Sequence, residues 1–254
     1  MVINELNLLL LEKKVSSFCI QNSDPKANHL VNVLRVKTGD LIDLAAKNGP
    51  KGKGLVHLAS NGDIKLHIDW LPDHKPDFYP ISLVVGMARP QTCRKILDQA
   101  TSLGVDSLYF FDADKSEPSY RKSVLWSGEE WSRKIVEGVE QAFSSFVPEC
   151  KLYPNLESAL SKEKASDLGI SKIALDNYEG KHALRSYTTC STKRISLCIG
   201  PERGWSPRER KILQDYEFPL FHLGPRVLRV ETAVVGSLCM LASTYWPKAE
   251  NSGV

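Results

Sequence analysis

The sequence predicts an α/β protein in two parts, a small N-terminal β-barrel followed by a larger α/β layer. Three observations carry this reading. The first seventy or so residues hold short apolar or alternating runs divided by turn signals. From Ile81 onward, strand-like and helix-like segments alternate, which is the pattern of a mostly parallel sheet covered by helices. Between the two, Leu71-Pro72-Asp73-His74-Lys75-Pro76-Asp77 is polar, carries two prolines and reads as a linker. The expected domains are residues 1–72 and 78–248.

The N-terminal strands are expected at Leu6–Leu11, Val15–Ile20, Leu41–Leu44, Gly54–Leu58 and Ile64–Ile68. Turns at Thr38-Gly39-Asp40, Asn48-Gly49-Pro50 and Asn61-Gly62-Asp63 separate them. One short helix is expected over Lys26–Leu34, where His29, Leu30, Val33 and Leu34 fall at helical spacing. Several short strands and one helix suggest the barrel.

In the second part, Ile81–Ala88 reads as a buried strand. Cys93–Leu103 reads as a helix with Ile96, Leu97, Ala100 and Leu103 on one face, stopped by Gly104. Ser107–Phe111 is a second strand, and Trp126–Phe143 a long amphipathic helix. Ile173–Asp176, Ile195–Gly200 and Leu220–Leu223 are further strands. Helices are expected over Ser206–Tyr216 and Glu231–Trp246.

Composition excludes several classes. At 254 residues and 42% hydrophobic, the chain can bury a real core. A net charge of +3 is too small to announce a nucleic-acid partner, so clustered charge must carry that case. No apolar run is long enough to span a bilayer, and Leu8–Leu11 lacks the flanks of a signal peptide. A cytoplasmic protein without membrane contact is expected. Six scattered cysteines, Cys19, Cys93, Cys150, Cys190, Cys198 and Cys239, form no C-x-x-C pair and no metal spacing with histidine, so free thiols and no metal are expected. Cys198 and Cys239 lie in apolar stretches and read as small hydrophobes.

Two tempting motifs fail on context. Gly52-Lys53-Gly54 begins like a dinucleotide fingerprint, but His57 occupies the third glycine position and the segment reads as a hairpin turn. Gly204-Trp205-Ser206-Pro207-Arg208 lacks the closing glycine of a nucleophile elbow. Ser206-Pro207-Arg208-Glu209 instead has Ser at the N-cap, Pro at the first helical position and Glu two residues later, which makes a capping box.

Two segments remain that the fold alone does not explain. Ile195–Ser206 is a buried strand ending in Gly200-Pro201-Glu202, just before a helix. Phe221–Ala233 is a strand, a glycine turn, the basic loop Pro225-Arg226-Val227-Leu228-Arg229, and a helix start. Ligands of open α/β sheets bind beyond the carboxyl ends of the strands. Glycine there lets a ligand reach the backbone. The helix that follows is rich in small residues (Ala233, Gly236, Ser237, Ala242, Ser243), which permit close packing of another helix or subunit.

These two segments resemble the I-G-P-E-G-G-[FW]-[ST] and L-G-x-R-[IV]-L-R-x-E-T-A signatures of the RsmE family, ribosomal RNA uridine-N3 methyltransferases of the SPOUT superfamily. His29–Asp40 is similar to the family's H-L-x-x-V-L-R-x-x-x-G-D. Ala100–Val105 is similar to its K-A-T-E-L-G-V helix end, and Glu140-Gln141 to its E-Q pair. The resemblance implies a PUA-like N-terminal barrel that binds RNA, a C-terminal trefoil-knot methyltransferase domain, S-adenosyl-L-methionine as cofactor, 16S rRNA as substrate and a homodimer.

Carried over residue by residue, the resemblance implies that Leu175, Ile199, Gly200, Pro201, Leu223, Gly224, Val227, Leu228 and Thr232 hold the cofactor. It places Arg229 and Glu231 close to the cofactor and the target base, with Glu202 as a further catalytic candidate. By their charge, Arg35, Lys37, Arg89, Arg94, Arg121, Lys122 and Arg226 are candidate RNA phosphate contacts, of which Arg35 and Arg226 also match the family motif. Each has a plainer alternative. Arg229 and Glu231 can pair at a helix start, where glutamate suits the dipole. Glu202 can shape a turn or pair with an arginine. The basic residues can be solvated surface charges. The chain departs from the family at Gln99, at Ala142-Phe143-Ser144-Ser145-Phe146, at Arg203 and at Val230, and lacks the arginine pair usual near the N-terminus, having Asn4–Leu10 instead. Two functional alternatives therefore stand beside uridine-N3 methylation. One is a methyltransferase of the same fold acting at another RNA site, and the other a catalytically silent RNA-binding or ribosome-assembly protein.

Overall fold

The structure, a computed structural model, describes residues 8–164, 169–187 and 194–246. Leu6 and Asn7 of the first expected strand, Cys190 and the last residues of the second expected domain lie outside the described residues. The chain divides into two compact units, residues 1–77 with 139–147, and residues 78–138 with 148–254.

The first unit is built on five strands: β1 (Leu9–Leu11), β2 (Ser17–Ile20), β3 (Leu41–Ala46), β4 (Lys51–Leu58) and β5 (Ile64–Trp70). They form one sheet in the order β1-β3-β4-β5-β2. β1 runs parallel to β3 and the remaining pairs are antiparallel. Alternation in β5 turns Ile64, Leu66 and Ile68 inward, where they meet Leu44, Val56, Ile20 and Leu30. The expected hairpin at Gly52–Gly54 is instead the interior of β4. Glycine is needed there because a Cβ on Gly54 would lie 2.8 Å from Leu44, and one on Gly52 would lie 2.7 Å from the Asp69 carbonyl. α1 (Pro25–Asn28) starts from Asp24, whose carboxylate accepts from the Lys26 N–H at 2.9 Å. It continues as a π-helical turn over His29–Val33.

Residues 139–147 belong to this unit through polar bonds. Glu140 accepts from the Leu10 backbone N–H and the Lys26 ammonium, both at 3.0 Å. Ser145 donates to the Gly49 carbonyl at 2.7 Å. The Glu140 of the sequence motif is thus a structural clamp.

The second unit is a seven-stranded sheet flanked by helices. Its strands are β6 (Tyr79–Gly86), β7 (Val105–Phe111), β8 (Glu149–Tyr153), β9 (Ser171–Leu175), β10 (His182–Ala183), β11 (Ile195–Ile199) and β12 (Leu220–His222). The order is β10-β12-β9-β11-β6-β7-β8, and every pairing is parallel. The apolar runs Leu83-Val84-Val85 and Leu197-Cys198-Ile199 are buried, as a sheet covered on both faces requires. The helices are α2 (Pro90–Ser102), α3 (Val124–Ser127), α4 (Glu130–Gln141), α5 (Leu156–Lys164), α6 (Pro207–Asp215) and α7 (Val230–Ala242).

The long helix expected over Trp126–Phe143 is two helices. Gly128 caps α3 with an extended backbone, and α4 starts afresh at Glu130. β8, α5 and β10 had no clear signal in the sequence. Cys239, which lies in an apolar stretch and reads as a small hydrophobe, is exposed on α7. Cys93 and Cys198 are buried, and burial pushes the Cys93 thiol up to about 12, so it stays protonated. Among the described residues no helix is long and apolar enough to cross a membrane.

Candidate active site

Four strands end in one row. In register, Val85 of β6 lies beside Ile199 of β11, Ile199 beside Leu175 of β9, and Leu175 beside Phe221 of β12. Beyond the carboxyl ends of β9, β11 and β12 lies a cleft of about 470 Å³, within the size range of small-molecule sites.

Its floor comes from the β11–α6 loop. Trp205 is buried and its indole N–H donates to the Leu175 carbonyl at 2.8 Å. The ring lies under Gly200, where a Cβ would sit 3.2 Å from the indole, so glycine keeps this strand end open. Pro201 enters against the end of β6, where a Cβ on Gly86 would meet its ring at 2.6 Å. The capping box at the start of α6 is present as expected. Ser206 accepts from the Glu209 N–H at 3.0 Å, and Glu209 accepts from the Ser206 N–H at 2.8 Å. Ser206 is therefore committed to structure.

One wall follows β9. The Asp176 carboxylate is buried and accepts from the Tyr178 N–H at 2.8 Å and from Arg210 Nε of α6 at 2.6 Å. Burial opposes its charge, but these bonds outweigh burial and hold the carboxyl below the usual range. The turn Asp176-Asn177-Tyr178 is thereby fixed, with Tyr178 projecting into solvent at the cleft.

The opposite wall is the β12–α7 loop. Gly224 adopts φ +117°, a left-handed value that suits glycine, and its N–H donates to His222 Nδ1 at 3.0 Å. Leu223, Arg226, Val227 and Leu228 line the cleft. Arg229 is the N-cap of α7 and exposed. Glu231, in the first turn, pairs with Lys95 of α2 at 3.1 Å. Burial raises its pKa, but its own backbone N–H, the Lys95 ammonium and Arg229 outweigh that and lower it overall.

The third side comes from β6 and α2. Glu202 accepts from the backbone N–H of Arg89, the α2 N-cap, at 2.9 Å. Arg89 itself is exposed, and its hydrogen bond with Tyr120 raises its pKa above the ordinary arginine value, aided by the charge of Glu202.

Most sequence-derived candidates therefore converge. Leu175, Ile199, Gly200, Pro201, Leu223, Val227 and Leu228 line the cleft, as do Arg229, Glu231, Glu202, Arg89 and Arg226. Gly224 shapes the wall without lining it, and Thr232 is exposed one residue past Glu231, outside the lining. Arg35 and Lys37 belong to the first unit, exposed on the segment before β3. Arg35 holds a left-handed φ of 54°. Sequence reasoning missed Thr92, Asp176, Asn177, Tyr178, Trp205 and His222, which also line the cleft. Asp176 had a usable signal, a polar residue closing an apolar parallel strand.

The family model of the RNA methyltransferase domain matches residues 75–242. The chain is 25% identical over 241 residues to ribosomal RNA small subunit methyltransferase E 1 of Borreliella burgdorferi, covering 94% of this chain and 98% of that protein. It is 27% identical over 243 residues to the Treponema pallidum ribosomal RNA small subunit methyltransferase E, covering 93% and 90%. In fold it is similar to the Neisseria gonorrhoeae ribosomal RNA small subunit methyltransferase E, solved bound to S-adenosyl methionine. That match has a TM-score of 0.76 at 19% identity over 95% of this chain and 98% of the other. The chain belongs to the RNA methyltransferase domain family, and within it the sequence resembles the RsmE proteins.

Proposed function

We propose that this protein methylates uridine N3 in 16S rRNA, using S-adenosyl-L-methionine, as a cytoplasmic homodimer. The observation that carries the proposal is the cleft at the ends of β9, β11 and β12, walled by the two loops that bear the family signatures. The names of the curated relatives support a small-subunit rRNA substrate, and the Neisseria protein was solved with the cofactor.

The residues fit that cofactor. The cleft has the volume for a nucleoside-sized ligand, apolar lining at Leu175, Ile199 and Leu223, and a wall turned by Gly224. The carboxylates of Glu202 and Glu231 suit a sulfonium charge. When bound, the cofactor supplies an electrophilic methyl group. The chain's own residues supply placement and charge. Arg229 and Arg226 offer cations for a phosphate or for the anion formed as the N3 proton leaves. Glu202, bonded to the Arg89 N–H, positions two loops and is not assigned the role of base.

Two structural readings accompany the proposal. The first is a SPOUT trefoil knot, supported by the sheet order. β12 lies between β9 and β10, so the β9–β10 connection passes across it. The close approach of Gly180 to the Phe221 backbone supports the same crossing. The second is an N-terminal PUA-like RNA-binding barrel over residues 1–72, with the methyltransferase domain over 78–248. It is supported by the five-stranded sheet around its own core and by exposed Arg35 and Lys37. For the homodimer, the exposed Thr232, Cys239 and Met240 of small-residue helix α7 offer a face.

The test combines two measurements. Calorimetry with S-adenosylhomocysteine is expected to give one site per chain. Mass spectrometry of 16S rRNA from a strain lacking the protein is expected to lose one 3-methyluridine, which the protein restores in vitro. A spectrum in which the 3-methyluridine persists in that strain refutes the target, and absent cofactor binding refutes the enzyme. Light scattering is expected to give twice the 28.4 kDa chain mass.

A further inference from the structure

We infer that Tyr178 is a stacking platform for a nucleobase of the RNA, and so a substrate-positioning residue at the mouth of the cleft. The inference rests on the proposed RNA methyltransferase reading and deepens it. Tyr178 is 76% exposed, although it is large, aromatic and set on a turn that borders the site. Among the described residues no aromatic ring packs on it, whereas Tyr109, Tyr153, Tyr187 and Tyr245 all have ring partners.

The exposure is not looseness of the turn. Tyr178's N–H is bound to the Asp176 carboxylate at 2.8 Å, and the Gly180 N–H to the Asp176 carbonyl at 3.1 Å. The same carboxylate is anchored to α6 through Arg210. A ring presented from a fixed backbone loses little freedom when a ligand lands on it.

Its surroundings name the ligand class. Across the same cleft, Val227 and Leu228 expose apolar side chains, and Arg89, Arg226 and Arg229 bring cations. An exposed ring and apolar contacts among cations make the surface that holds unpaired nucleotides, where bases stack and phosphates meet arginine. The buried end of the cleft, at Leu175, Ile199 and Trp205, is a separate apolar region suited to the cofactor. Uridine N3 lies on the Watson–Crick edge, so the target base must leave its pair, and either it or its neighbour then needs a new stacking surface.

The test uses the full chain with unmodified 16S rRNA transcribed in vitro, comparing Tyr178→Ala and Tyr178→Phe with wild type. Loss of one base–aromatic stack predicts a fall in kcat/KM for RNA of about 10- to 100-fold in Tyr178→Ala. The ring alone should suffice, so Tyr178→Phe is expected within about 3-fold of wild type by the same reasoning. S-adenosylhomocysteine affinity by calorimetry, and the thermal midpoint, are expected to stay unchanged in both variants. Unchanged kcat/KM in Tyr178→Ala overturns the inference. So does a parallel loss of S-adenosylhomocysteine affinity, which would place the ring on the cofactor. Failure of the wild type itself to bind S-adenosylhomocysteine defeats the underlying methyltransferase reading, and the inference with it.

Discussion

The carboxylate of Glu202 and the backbone N–H of Arg89 are joined by a 2.9 Å hydrogen bond that ties the β11–α6 loop to the start of α2. It satisfies one of the donors left open at a helix N-terminus. A residue placed to build the site has a different mutational signature from a proton acceptor. Glu202→Gln keeps an acceptor oxygen and is expected to retain most methyl transfer. Glu202→Ala is expected to lose about 1 kcal/mol of stability and to raise the KM for cofactor. Urea denaturation and steady-state kinetics of the two variants check this, and an inactive but stable Glu202→Gln counts against it.

Asp176 gives a pH dependence of known sign. Its folded pKa lies below the ordinary value, so its bonds to Arg210 and Tyr178 contribute stability above the usual carboxylate range. That contribution is lost as pH falls through the depressed value. Asp176→Asn is expected to be destabilised by about 3 kcal/mol at pH 7, since it strands part of a buried pair. The gap to wild type should narrow in acid. Denaturation midpoints across the acid range provide the measurement, and a gap that stays constant with pH would sink the assignment.

Two glycines separate crowding from backbone strain. A Cβ on Gly180 would collide with the Asp176 carbonyl and lie 2.7–2.8 Å from the Phe221 backbone. Backbone does not step aside, so Gly180→Ala is expected to cost about 3 kcal/mol or to prevent folding. Gly224 has open space around it and pays only for its positive φ. Gly224→Ala is expected to fold with a cost of about 1 kcal/mol, and to weaken S-adenosylhomocysteine binding. Soluble yield, denaturation and calorimetry distinguish the two.

Arg229 is exposed and lines the cleft, so its charge is available to a ligand. Arg229→Ala is expected to leave stability within about 0.5 kcal/mol of wild type. Methyl transfer is expected to fall about 100-fold. Glu231→Gln removes the charge facing Lys95 and is expected to affect stability more than Arg229→Ala does. Parallel kinetics and melting of both variants test the contrast.

Much of this was legible before the structure. Buried parallel strands such as Leu83–Val85 and Leu197–Ile199 announce themselves as apolar runs. The capping box at Ser206 and Glu209 is a local motif with a fixed spacing, and local motifs read well. The two signature loops stood out as strand ends bearing glycine and charge, and the resemblance to the RsmE signatures then named the residues within them. What escaped depended on distant partners. β10 is only His182–Ala183 and exists through its pairing with β12. Gly52 and Gly54 look like a turn until Leu44 and the Asp69 carbonyl are seen against them. Trp205 looks like a core residue, and its place as the floor of the cleft depends on the Leu175 carbonyl thirty positions earlier.

The strand order also sets a timetable for assembly. β6, β7 and β8 each pair with their neighbour in sequence and can form a ribbon as they emerge. Among the described residues, β9 pairs with β11 and β12 alone, and β10 with β12 alone. Both therefore wait, edges unpaired, for chain that has not yet been made. Parallel pairing over such distances is slow and leaves strand edges exposed to other chains. The cleft is thus among the last parts to exist. A nascent chain stalled before residue 195 carries only three paired strands of the second sheet and no binding site.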